Sequence, residues 1–134
     1  MPAALVLIDK QPGWTSHDVV AKLRGILGTR KIGHAGTLDP MATGLLVLGV
    51  DGGTKLLQFI SGSDKQYLAT IRLGAATHTD DAEGDVIFSS SAKEVSEKQI
   101  DAEIAKLTGA ITQVPSSVSA IKVDGKRAYD LVRD

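Results

Sequence analysis

The sequence has no cysteine, few aromatic residues (4%) and only four prolines. Without thiols, a disulfide framework and cysteine-ligated zinc are both excluded. No apolar run approaches the ~18 residues needed to cross a bilayer, and the N-terminus lacks a basic region leading into an apolar stretch. The expectation is therefore a soluble, cytoplasmic protein. One-sided charge is missing too: the net charge is -1, and with 43% hydrophobic residues the chain is not globally disordered. Its 134 residues suit one domain large enough to bury a core.

The near-neutral total conceals a division. Residues 80–103 hold eight acids against two lysines, whereas the remainder carries 13 basic and eight acidic residues. An acidic flank beside a basic working face and two ordinary solvated faces both satisfy this arithmetic, so charge alone does not choose a partner.

Residues 3–9 form an apolar run that predicts a strand, and Gln11-Pro12-Gly13 predicts a turn. Thr15 and Asp18 have capping-box spacing ahead of Val19, Val20, Leu23, Ile26 and Leu27, so a helix is expected over 16–27, ended by Gly28. Residues 29–44 show no sustained period and read as a long loop. A buried strand over 45–50 should turn at Asp51-Gly52-Gly53 into a short helix over 54–60. Residues 64–74 alternate, with Tyr67, Ala69, Ile71 and Leu73 on one face, and predict a strand with Tyr67 turned to the core. A polar acidic segment over 77–85 precedes a strand over 86–89. Ser96 and Gln99 repeat the capping-box spacing before a helix carrying Ile100, Ile104 and Leu107, with Gly109 as its stop. Strands over 110–114 and 118–123, a turn at Asp124-Gly125 and a helix from Lys126 complete the pattern. Strands and helices interleave without a regular repeat, which points to an α/β protein of α+β type: a mixed sheet with flanking helices in one domain.

The segment Gly33-His34-Ala35-Gly36-Thr37-Leu38-Asp39-Pro40-Met41-Ala42-Thr43-Gly44 gathers unusual requirements. Glycines admit unusual backbone angles and close approach by a ligand. Pro40 biases Asp39 toward an extended conformation, where its carboxylate can serve as nucleophile, general base or metal ligand. The plain alternative is an Asx-turn, in which that carboxylate caps the local backbone. His34 suits base stacking, acid–base work or metal binding, or is a hydrogen-bonding surface residue. Metal spacing is absent: residues 77–85 do not meet the calcium-loop pattern, and the glycine-rich loop lacks a Gly-Lys-Ser/Thr ending for phosphate. Read on residues alone, a sugar- or nucleotide-phosphate hydrolase is an alternative that metal dependence would revive.

Residues 33–44 closely resemble the catalytic motif of the TruB family of tRNA pseudouridine synthases. Asp9-Lys10-Gln11-Pro12-Gly13-Trp14-Thr15-Ser16 resembles the family's N-terminal motif, and Lys65-Gln66-Tyr67 leading to Arg72-Leu73-Gly74 its substrate-stacking strand. Residues 77–84, and Ser119-Ala120-Ile121-Lys122 with Gly125, match later family segments in order. Pro115-Ser116-Ser117-Val118 departs from the proline and aromatic that often precede Ser-Ala-x-Lys.

The resemblance implies a largely antiparallel pseudouridine synthase sheet, of which residues 1–134 are the N-terminal part. It places the remainder of the catalytic domain, the arginine that pairs with the catalytic aspartate and a C-terminal RNA-binding domain beyond these residues. It implies conversion of uridine to pseudouridine in the T-loop of tRNA, without cofactor or metal, on a flipped-out nucleotide. Asp39 is then catalytic, as nucleophile or as a base that yields a glycal; Tyr67 stacks on the target base, and His34 fills the place that base vacates. Lys10, Arg30 and Lys31, with Lys22 and Arg24, are candidate phosphate contacts, and Trp14 reads as packing. The expected partner is the T-stem-loop of tRNA, with neither a membrane nor an obligatory protein partner. A non-catalytic RNA-binding fragment and the guide-RNA-dependent, dyskerin-like branch are the alternatives.

Overall fold

A computed structural model describes residues 2–114 and the backbone of residues 122–123 and 126–127. The chain divides into two compact units, residues 1–67 and 68–134.

In the first unit, strand β1 (Ala4–Lys10) leads through the Pro12-Gly13 turn into helix α1 (Ser16–Leu27). The helix begins with the expected capping box: the Thr15 hydroxyl accepts from Asp18 N at 3.0 Å, and the Asp18 carboxylate accepts from Thr15 N at 2.8 Å. It ends at Gly28, whose left-handed φ of 64° costs other residues a Cβ clash. Strands β2 (Ile32–Ala35) and β3 (Gly44–Val50) follow, and all three strands pair antiparallel in the order β1-β3-β2.

Register decides which side chains share a face. Ala4, Val6, Ile8 and Lys10 stand opposite Val50, Leu48, Leu46 and Gly44, while Ile32 and His34 stand opposite Val50 and Leu48. This inner face packs on Val20 of α1 to form the core of Val20, Ile32, Leu38, Leu46, Leu48 and Val50. Each such side chain contributes roughly 1.5–3 kcal/mol by leaving water. On the other face, Gly33 stands opposite Gly49 and leaves a recess. A Cβ on Gly33 would lie 3.2 Å from Leu57, and one on Gly49 would lie 2.6 Å from the Gly53 carbonyl oxygen. The 3₁₀ turn (Asp51–Leu56) and helix α2 (Leu57–Ile60) occupy that recess.

In the second unit, β4 (Ala75–Thr77) and β5 (Val86–Ser89) form an antiparallel pair around the acidic segment. Helix α3 (Glu97–Lys106) carries the second capping box, between Ser96 and Gln99. Gly109 follows with φ 86°, two residues past the C-terminal Leu107. β6 (Lys122–Val123) pairs antiparallel with β7 (Lys126–Arg127).

The result is a mixed helix-and-strand chain whose strand pairs are all antiparallel among the described residues. Several local expectations change. Residues 29–44 are not one loop, because β2 lies within them, held by pairing to β3 rather than by its own Gly33 and His34. The helical turn after β3 starts at Asp51, not at residue 54. Residues 64–74 alternate in sequence yet form no strand, since no partner strand pairs with them among the described residues. Residues 110–114 likewise form no strand. Lys126 begins a strand, not a helix. The expected turn at 124–125, the strand residues 118–121 and the chain from 128 onward lie outside the described residues.

Candidate active site

The loop of residues 36–43 joins β2 to β3 across the end of the sheet where Lys10 closes β1 and His34 nears the end of β2. Asp39 sits on it, exposed. Ala42 N donates to the Asp39 backbone carbonyl at 3.0 Å. That bond closes a turn without the side chain, so the Asx-turn reading fails. Among the described residues, the Asp39 carboxylate accepts no hydrogen bond.

The backbone on either side of Asp39 is anchored by the N-terminal segment. The Ser16 hydroxyl donates to Leu38 O at 3.2 Å and accepts from Leu38 N at 2.9 Å. Ser16 is 2% exposed and Leu38 9%. On the other side, Pro40 O accepts from Gly13 N at 2.8 Å and from Lys10 Nζ at 3.2 Å. The Asp39 carboxylate thus stands free on a backbone that is fixed on both sides.

Lys10 is corrected as a phosphate contact. It is 1% exposed, and its ammonium donates to Gln11 O at 3.2 Å and Trp14 O at 2.7 Å as well as to Pro40 O. Its three donors are thereby matched by three carbonyls inside the fold. Arg30 and Lys31, by contrast, are exposed in the link from α1 to β2. Arg24 donates to Ile32 O at 3.0 Å and Lys22 is exposed on α1.

His34 is half-buried, and its Nδ1 meets Gly36 O at 2.5 Å. A carbonyl only accepts, so Nδ1 is the donor in this contact and Nε2 is the ring nitrogen left outside it. Tyr67 is 64% exposed, so the expectation of a core-facing tyrosine is overturned. Lys65 lies beside the start of the loop, its stem 3.5 Å from where a Cβ on Gly36 would be, and its ammonium donates to Ser61 O and Ser63 O. Trp14 packs at a groove with Ile8, Val19, Leu23 and Ile26, 41% exposed. Ser16 and Gly13 are the site residues that spacing did not single out; Ser16 carried a signal, as a small polar residue at the first turn of an amphipathic helix.

The model for TruB family pseudouridylate synthase (N terminal domain) matches residues 24–134. This chain belongs to the TruB family. Among the TruB relatives, tRNA pseudouridine synthase B of Arthrobacter sp. (strain FB24) is 63% identical over 133 residues, covering 99% of this chain and 44% of its own length. The same-named protein of Streptomyces avermitilis is 62% identical over 133 residues, with the same coverage. The chain thus spans less than half the length of these TruB relatives. A solved structure, the crystal structure of a Cbf5-Nop10-Gar1 complex, is 31% identical with a TM-score of 0.57, covering 88% of this chain and 30% of that one.

Proposed function

We propose that this chain carries the catalytic aspartate of an isomerase that converts uridine to pseudouridine in the T-loop of tRNA. The observation that carries the reading is the disengaged Asp39 carboxylate on a backbone fixed at Leu38 and Pro40. The printed name of the 63% identical relative, tRNA pseudouridine synthase B, supports the substrate class. The reaction breaks the glycosidic C–N bond, rotates the uracil and forms a C–C bond, so every atom is retained and no redox partner or group donor enters. The Asp39 carboxylate acts at the ribose–base unit, as nucleophile or as base toward a glycal, dividing one difficult step into easier ones.

A base inside a folded loop cannot reach Asp39, so the nucleotide is flipped out. Tyr67, exposed at the end of the first unit, stacks on it, a contact worth roughly 1–3 kcal/mol. His34 fills the vacated place and offers Nε2 there. Arg30 and Lys31 contact phosphates. The resemblance assigns the aspartate's arginine partner, the rest of the catalytic domain and a C-terminal RNA-binding domain to chain beyond this match, and the greater length of the 63% identical relative is consistent with that assignment. A tRNA substrate supports a cytoplasmic site of action. The higher identity to proteins named for tRNA favours the stand-alone branch, without an obligatory protein partner, over the guide-RNA-dependent one.

The test is this chain completed with the C-terminal portion of the Arthrobacter relative, purified alone. Label release from C5 of uracil in tRNA should accompany turnover, and Asp39→Asn should abolish it while tRNA is still bound. Turnover that survives Asp39→Asn would sink the assignment. Binding without any label release in the unaltered chain would favour the non-catalytic RNA-binding reading.

A further inference from the structure

We propose that Ser16 is the positioning residue for Asp39, fixing the peptide from which the carboxylate acts; the inference rests on Asp39 being catalytic. One hydroxyl engages both polar groups of a single backbone residue, donating to Leu38 O at 3.2 Å and accepting from Leu38 N at 2.9 Å. Both residues are buried, so neither Leu38 group has water as a substitute partner. Two bonds from one atom fix the orientation of the Leu38 backbone as well as its place, and the next peptide is that of Asp39. Lys10 serves Pro40 differently, because its ammonium is divided among Gln11, Trp14 and Pro40 and also ties the turn after β1. Ser16 makes no other side-chain hydrogen bond among the described residues. It is also set rigidly, at the first position of α1 directly after the capping box at Thr15.

Small displacements of a reacting group are costly: about 1 Å can lower a rate 100-fold. Losing the hydroxyl frees the Leu38 peptide to rotate and carries Asp39 with it, while His34, Arg30 and Lys31 keep bonds of their own and Tyr67 lies outside the loop. The consequence is a loss in the chemical step that leaves tRNA binding intact.

The experiment compares Ser16→Ala, Ser16→Cys and Ser16→Thr in the chain completed as above, by single-turnover kinetics and separate tRNA binding. Ser16→Ala should lower the single-turnover rate about 10- to 100-fold with Kd changed less than about twofold. Ser16→Cys fills nearly the same volume with a weak donor and acceptor, so it should show the loss even where the alanine variant folds poorly. Ser16→Thr keeps the hydroxyl and should restore the rate to within about threefold. Val50→Ala, in the core at the far end of β3, supplies a destabilised control whose rate at 25 °C should stay normal. A rate kept within twofold in both Ser16→Ala and Ser16→Cys would overturn the proposal, as would a loss matched by Val50→Ala. Asp39→Asn run in parallel separates the two failures: turnover surviving it removes the catalytic reading itself, whereas its abolition with Ser16 variants unaffected removes only the positioning role.

Discussion

Lys10 occupies the last inward position of a strand whose other inward residues are Ala4, Val6 and Ile8. A buried ammonium is tolerated there because three carbonyls receive its three protons, at Gln11, Trp14 and Pro40. Lys10→Met fills the space but strands those acceptors. We expect it to lower unfolding free energy by roughly 1.5–3 kcal/mol, read from urea denaturation, with no change in the salt dependence of tRNA binding. Weaker binding at low salt with unchanged stability would return Lys10 to the phosphate-contacting set. The parity of β1 already places position 10 inside; the basic side chain obscures that, since lysine is almost never fully buried unless paired. Asp39 and His34 stand out as candidates from a contiguous motif. The freedom of the Asp39 carboxylate was not, because it depends on Ser16, Gly13 and Lys10 supplying bonds from a distant part of the sequence.

At the level of elements, helix α1 was legible at both ends and α3 at its start, since Thr15 with Asp18 and Ser96 with Gln99 are signals held within one turn. Thr15→Ala should cost about 1 kcal/mol of stability in thermal or urea unfolding. Strand β2 was illegible because its pairing with β3 is non-local, and the alternation over 64–74 misled because period alone does not supply a partner strand. Glycine at 49 has a cause of the same tertiary kind. Gly49→Ala would place a Cβ 2.6 Å from the Gly53 carbonyl oxygen, and is expected to destabilise by about 1–3 kcal/mol. Three carboxylates in caps and turns respond to acid. Thr15 holds Asp18 below the ordinary range through its hydroxyl and backbone N–H, the Thr29 hydroxyl does so for Asp51, and the Thr79 hydroxyl and Glu83 N–H do so for Asp81. Because these values are lowered in the folded chain, the unfolded chain binds more protons in acid. Their stabilisation is complete above the unfolded value of about 4 and is lost as pH falls through the folded values. Melting temperature should therefore be insensitive to these groups above about pH 5 and fall below about pH 4, with a shallower fall in Thr79→Val.

At the scale of the whole molecule, the opening charge balance resolves by unit. Residues 1–67 carry seven basic and five acidic residues, and residues 68–134 carry eight basic and eleven acidic. The unit with Asp39 is thus the positive one, though by a small margin, so a few exposed cations must dominate any RNA contact. Arg30→Ala and Lys31→Ala should each reduce the slope of log affinity against log salt by about 1 without altering the bound-state rate. An unchanged slope would assign those side chains to solvent alone. Both units also expose large apolar residues, Leu7, Leu45 and Phe59 in the first and Leu68, Ile71 and Phe88 in the second. Completion with the C-terminal portion of a relative should raise melting temperature and suppress aggregation relative to residues 1–134 alone. The anchoring of Asp39 has one more implication. Every bond that holds its neighbours ends on main-chain atoms, at Leu38 N, Leu38 O and Pro40 O. Thr37, Met41 and Thr43 are exposed and take no part in it. The carboxylate's place is thereby independent of those three side chains, and substitution at Thr37, Met41 or Thr43 is expected to leave the bonds at Leu38 and Pro40 intact.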